Sequence, residues 1–134
     1  MFAAQGIRIL RQERAPIRLG GEMLNIIGID DLQHQGDFDQ HLQQVKRLAM
    51  PNTVNILLIH YPYYFDHPEL GIDLTMAGDI HGGGQLSLDF VHRGLNLSRL
   101  LGLPYARGWY EEAGAQLYVG SRPEISVFEL TREA

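Results

Sequence analysis

The chain has 134 residues, a formal net charge of -5 at pH 7 and no cysteine. A chain of this size buries roughly two-thirds of the surface its unfolded form exposes, so one ordinary domain with a genuine core accounts for it. The missing cysteines exclude disulfides, thiolate metal sites and cysteine nucleophiles. The acidic balance without Lys/Arg clusters excludes a broad nucleic-acid or anionic-membrane surface.

Hydrophobic residues make up 45% of the chain and charged residues 20%, a globular composition with no long run of like charge. The opening MFAAQGIRIL lacks the basic stretch and apolar core of a signal peptide, and no apolar run reaches bilayer length. A soluble, cytoplasmic protein without a membrane segment is the expectation.

Taken in chain order, Ile7 to Leu10 and Pro16 to Leu19 read as strands flanking a charged connection. Gly20-Gly21 supplies a tight turn, and Glu22 to Ile29 reads as a third strand ended by Asp30-Asp31. From Phe38, apolar residues recur at three- and four-residue intervals through His41/Leu42, Val45 and Leu48/Ala49, which predicts an amphipathic helix. Asp37 is its expected N-cap, and Pro51 stops it because proline cannot continue the hydrogen-bond ladder.

Val54 to Ile59 is a β-branched and apolar run, read as a strand buried on both faces of a helix-flanked sheet and ending in His60. Ile72 to Ala77 is a second such run, ending in Gly78-Asp79-Ile80-His81 and the triglycine 82–84. Two strands therefore deliver potential metal ligands at their C-terminal ends, where open α/β sheets place their chemistry. Further on, Leu86 to Leu88 is a short strand candidate and Leu95 to Leu103 an ambiguous apolar stretch. Tyr105 to Tyr110, Gln116 to Val119 and Ile125 to Leu130 read as three closing strands.

His60, Asp79 and His81 are the candidate ligands. A dinuclear phosphoester hydrolase needs imidazoles and carboxylates converging from several loops while open positions remain for substrate and water. On an extended segment residues 79 and 81 project to opposite sides, so each can meet a different ion. Taken singly these residues are weak signals, because a histidine after a strand is commonly structural and a glycine-rich loop is commonly a turn. His41 in the helical pattern and His67 beside Pro68 read as structural or loop residues. His92-Arg93 reads as a solvated loop, Tyr61, Tyr63, Tyr64 and Phe65 as core packing with one ring bordering a pocket, and Trp109 and Tyr110 as core or interface anchors.

The order strand-His60-Tyr61-Pro62, then strand-Gly78-Asp79-Ile80-His81-Gly82-Gly83, resembles the H-x-P and G-H-x-H-G-G segments in the second half of the calcineurin-like metallophosphoesterases. Gly6 to Asp31, Tyr118-Val119 and Arg122 to Ile125 are similar to the bacterial branch related to envelope and membrane-lipid phosphoesterases. The resemblance implies an α/β (α+β) fold, the C-terminal half of a four-layer αββα sandwich, with residues 1–134 as one partial domain. It implies that His60 and Asp79 serve the second metal of a dinuclear site and His81 the first. The implied cofactors are divalent metal ions, Mn2+, Zn2+ or Fe2+.

Asp79 stands where the family has histidine, which adds negative charge and favours harder ions. An extra glycine precedes Gln85, and the connection from Val119 to Arg122 is short. The family's first-half D-x-H, G-D and G-N-H segments, which supply the bridging carboxylate and remaining ligands, have no counterpart here, and His34, Asp37 and Asp30-Asp31 lack the setting to replace them. The implied function is a partial metal-dependent phosphoesterase domain, its dinuclear site incomplete, hydrolysing phosphomonoesters or phosphodiesters only when completed. A non-enzymatic binding or assembly module on the same half-fold is the alternative, and a mononuclear metal binder a third. Cutting a two-sheet fold in half exposes an apolar sheet face, so a homo-oligomer or a complementary first-half partner is expected.

Overall fold

The structure, a computed structural model, describes residues 3–31, 38–62, 64–78, 105, 108–120 and 126–131. Among these residues the chain forms strands β1 (Glu13–Leu19) and β2 (Glu22–Gly28), helix α1 (Phe38–Leu48), then β3 (Val54–Ile59), β4 (Leu74–Ala77), β5 (Gly108–Glu112) and β6 (Ala115–Val119). They build a mixed α/β unit around one six-stranded sheet of order β1-β2-β3-β4-β6-β5. The central strands β2, β3, β4 and β6 run parallel, and β1 and β5 close the two edges antiparallel. No described helix is long and apolar enough to cross a membrane.

Each edge strand is one arm of a hairpin. Leu19 pairs with Glu22 around Gly20-Gly21, whose φ values of 55 and 94 suit a primed two-residue turn. Glu112 pairs with Ala115 around Ala113-Gly114, both again at positive φ. This second hairpin corrects the expected strand Tyr105–Tyr110: the turn chemistry of Gly114 shifts the strand to Gly108–Glu112.

Alternation along the strands explains the burial. Ile27, Leu57 and Leu117 lie on one face, fully buried, with Ile29, Ile59, Ala77 and Val119 one layer along. Against this face α1 lays Val45, buried completely, with Phe38, Leu42 and Leu48 around it. Burial of side chains of this size contributes about 1.5–3 kcal/mol each relative to exposure. α1 begins at Phe38, while the expected cap Asp37 lies outside the described residues. It ends at Leu48, two residues short of Pro51 as expected, with Ala49 N–H still bonded to Val45 C=O at 3.0 Å.

The same core face carries a buried polar clamp at the N-terminal ends of the strands. Asn55 Nδ2 donates to the carbonyls of Met50 (2.9 Å) and Gly71 (2.9 Å), while its Oδ1 accepts from Met50 N–H (2.9 Å) and Asn25 Nδ2 (2.7 Å). Asn25 Nδ2 also reaches Leu48 C=O at 2.9 Å, and Asn55 N–H is taken by Asp73 Oδ2 at 2.7 Å. The clamp ties the last turn of α1 to β2, β3 and the entry of β4. The second apolar run is a strand only from Leu74, although Asp73 already bonds to both neighbouring strands, its N–H to Asn55 C=O and its C=O to Gln116 N–H.

The opposite face is buried at its centre, at Ile56 (6% exposed) and Leu74 (5%), and exposed around it among the described residues. Ile17 (43% exposed), Leu19 (54%), Val54 (42%), Leu58 (39%) and Trp109 (47%) all project from it. The expectation that β3 is buried on both faces holds at its middle, where Ile56 on this face and Leu57 on the other are both buried, and fails at Val54 and Leu58. Phe128 packs on Tyr118 (ring centroids 5.0 Å) and Trp109 (6.0 Å) at the β5 end of this face. Its segment, residues 126–131, is not a strand, contrary to the reading of Ile125 to Leu130. The candidate elements Leu86 to Leu88 and Leu95 to Leu103 lie outside the described residues.

Ile7 to Leu10 is likewise not a strand. It is a strap whose Leu10 sits directly on Gly28, so close that a Cβ built there would lie 2.7 Å from the Leu10 carbonyl oxygen. Gly28→Ala is expected to destabilise the protein by about 1–3 kcal/mol, the usual cost of forcing atoms into a packed contact. An unchanged urea midpoint would show that the strap yields freely.

Candidate functional site

The four parallel strands end at one edge of the sheet, and the ladder continues one step past them. Ile29 N–H bonds to Leu58 C=O (3.2 Å), Gly78 N–H to His60 C=O (3.2 Å) and Gly120 N–H to Ala77 C=O (3.0 Å). The residues that follow β2, β3, β4 and β6 therefore emerge beside one another. That edge is where parallel sheets offer backbone groups and side chains to ligands.

His60 stands on this edge, exposed, with its ring 4.6 Å from Tyr61 in an edge-on contact. Asp79 and His81, the other two predicted ligands, lie outside the described residues, as do the triglycine 82–84, His92, Arg93, His34 and Asp37. The strand leading to Asp79 ends at Gly78, whose amide is bonded to His60 itself. Among the described residues no three His, Asp or Glu side chains are grouped to hold a metal ion. An exposed imidazole suits a divalent cation as one ligand of several, so a cation at His60 needs donors from outside the described residues.

Asp30, at the end of β2, is held by Arg11, whose Nε and Nη2 both reach its Oδ2 at 2.8 Å. The structure thus gives Asp30 a strand-end setting that the sequence reading denied it, on the same edge as His60. His41 is half-buried on α1, as the helical pattern suggests, and its Nδ1 has no partner among the described residues. His67 Nδ1 lies 2.9 Å from Glu69 Oε1. The hydrogen bond from His67 holds the Glu69 carboxyl below its ordinary value.

After His60 the chain makes a compact aromatic turn. Pro62 C=O accepts Phe65 N–H at 3.4 Å and Tyr64 C=O accepts His67 N–H at 3.1 Å, which leads into a 3₁₀ turn at Pro68–Leu70. Tyr64 and Phe65 are buried, as expected of core packing. Phe38, the first residue of α1, stacks on Tyr64 at 5.4 Å. On the other side Tyr105 packs edge-on against both Phe65 and Tyr110, at 5.2 Å each. Tyr105 Oη donates a hydrogen bond to Asp66 Oδ1. Burial, reinforced by the Asp66 carboxylate, pushes the Tyr105 hydroxyl well above the usual phenol range, so it stays a neutral donor. Sequence reasoning missed this pair because nothing in the spacing of Asp66 and Tyr105 signals a contact. The Asn25–Asn55 clamp left a trace, an asparagine inside each of two apolar strands.

Comparisons with known proteins are sparse. A curated relative, an uncharacterized protein YpbG of Bacillus subtilis (strain 168), is 31% identical over 85 residues, covering 62% of this chain and 32% of the relative. The chain thus spans about a third of that relative's length. No family model and no solved structure matches the chain.

Proposed function

We propose that the chain is part of a metal-dependent phosphoesterase domain, similar to the C-terminal half of the calcineurin-like metallophosphoesterases and of their four-layer αββα sandwich. In this reading His60, Asp79 and His81 contribute to a dinuclear site for Mn2+, Zn2+ or Fe2+. The substrates are phosphomonoesters or phosphodiesters, hydrolysed when a complementary half completes the site, and the chain alone has little or no activity. The cations supply charge neutralisation at the phosphoryl oxygens. This chain's own residues hold and orient them at the C-terminal edge. The observation that carries the reading is the hydrogen bond from Gly78 N–H to His60 C=O, which brings the strand leading to Asp79 and His81 alongside His60.

Calorimetry with Mn2+ and Zn2+ tests it. Three ligands without a bridging carboxylate hold an ion weakly, so affinity should be at best about micromolar and should vanish in a His60→Ala/His81→Ala double variant. Binding unaffected by the double variant, or no binding at all, counts against the site. Tight uptake of two ions per chain contradicts its incompleteness.

The exposed apolar sheet face favours a second feature of the reading, assembly. Five large side chains on this face, each leaving about half its surface in water around the buried Ile56 and Leu74, together expose apolar surface on the order of several hundred Å2. We assign this face to a second copy of the chain, packed sheet on sheet by a two-fold axis. A complementary first-half domain on the same face is the competing occupant, and a protein that serves only as an assembly module is the corresponding alternative function.

A further inference from the structure

We propose that Asp66 and Tyr105 form a latch that positions the loop carrying His60. The inference rests on the reading of His60 as a ligand for its functional meaning, but the latch itself stands on contacts that do not involve a metal.

His60 leaves the sheet at the end of β3, and the turn after it is held from two directions. From α1, Phe38 stacks on Tyr64 and lies 5.7 Å from the His67 ring. From the segment that enters β5, Tyr105 covers Phe65 and reaches Asp66 with its hydroxyl. The first contact is apolar and belongs to the core. The second is directional, with an exposed carboxylate at one end and a half-buried phenol at the other. A phenol, which is neutral at about pH 7, and an accepting carboxylate make a charge-assisted hydrogen bond, stronger than one between neutral groups. Tyr105 is in turn held against Tyr110 of β5, so the latch fastens the loop to the far hairpin of the sheet.

The consequence is positional. An exposed imidazole on a free loop loses conformational freedom when it takes a ligand, whereas one on a latched loop has already given that freedom up. Asp66 and Tyr105 touch no proposed ligand atom. They act by keeping the turn from Pro62 to His67 in its folded form, with His60 at its base. Removing the hydroxyl should leave the core intact, because Phe65 and the Tyr105 ring still pack.

The test uses the full chain as wild type, Tyr105→Phe, Asp66→Ala, the double variant of these two, and His60→Ala. Amide hydrogen exchange is read at Phe65 and His67, whose N–H groups are bonded within the turn, against Leu57 and Leu117 in the core as controls. Zn2+ affinity is read by calorimetry. The latch predicts that Tyr105→Phe and Asp66→Ala each speed exchange at Phe65 and His67 about tenfold while the core amides stay unchanged. It also predicts that the double variant adds little to either single change, and that Zn2+ affinity falls by a similar factor. Unchanged exchange at Phe65 and His67 overturns the latch whether or not Zn2+ binds. Faster exchange with Zn2+ affinity unaltered shows a structural contact without a positioning role, which also overturns it. Zn2+ binding that is absent from the wild type, or survives His60→Ala, sinks the metal reading, while the exchange data still decide the latch.

Discussion

Asn55→Leu should unfold the protein at markedly lower denaturant, with a stability loss of about 3–5 kcal/mol. Leucine matches the shape of asparagine and is more apolar, and at most strand positions in a core it would be tolerated. Here it removes both halves of a buried amide that is bonded to Met50 on two sides, to Gly71 and to Asn25. The groups left behind stay buried and unpaired, each costing about 1–3 kcal/mol, because Asn55 and Asn25 sit almost wholly out of water. Asn25 Oδ1 already lacks a partner among the described residues, which leaves its amide little room to compensate by flipping. Urea melts followed by circular dichroism check this. A midpoint shift under a tenth of the wild-type value at unchanged slope would mean that water replaces the clamp.

A mass above 15.1 kDa is the second expected result, from light scattering at micromolar concentration. Ile17, Leu19, Val54, Leu58 and Trp109 leave one sheet face apolar and half-exposed, and the second copy proposed above removes that surface from water. Leu58→Glu places a carboxylate near the middle of the face, between Gly28 and Met76 in register. Burying an unpaired charge in an interface costs far more than the leucine contributed, so the variant should run as a monomer. A wild-type monomer would remove the second copy as the occupant. An assembly untouched by Leu58→Glu would move the interface elsewhere.

Much of the architecture was legible. The period of α1, the apolar run of β3 and the Gly20-Gly21 turn each carry local signals that the structure bears out, because helix faces and tight turns are decided within a few residues. The outer limits of strands were less legible. Ile7 to Leu10 has strand composition, but its place is decided by Gly28, a long-range contact with no local trace. β3 is buried on both faces at Ile56 and Leu57 but not at Val54 and Leu58, because an apolar run does not reveal which of its side chains meet a neighbour. At the candidate site, the ends of β3 and β4 were legible through the two runs that stop at His60 and Gly78. The Asp66–Tyr105 contact was not, because it depends on how two distant turns pack.

The mixture of hairpins and parallel ladders has a consequence for the order in which the sheet assembles. The β1–β2 and β5–β6 pairs each close through a two-residue turn, so they can form within microseconds of synthesis or dilution from denaturant. Joining them is slower, because β4 meets β6 in a register that sets Leu74 against Gln116, and the intervening chain must first surrender its loop entropy. The N-terminal hairpin, α1 and β3 can therefore collect into a nucleus on the ribosome before β6 is made, with Asn55 recruiting Asn25 and Met50 as soon as β3 emerges. Until the second hairpin arrives, the free rim of β4 is the surface through which newly made chains would pair wrongly with one another.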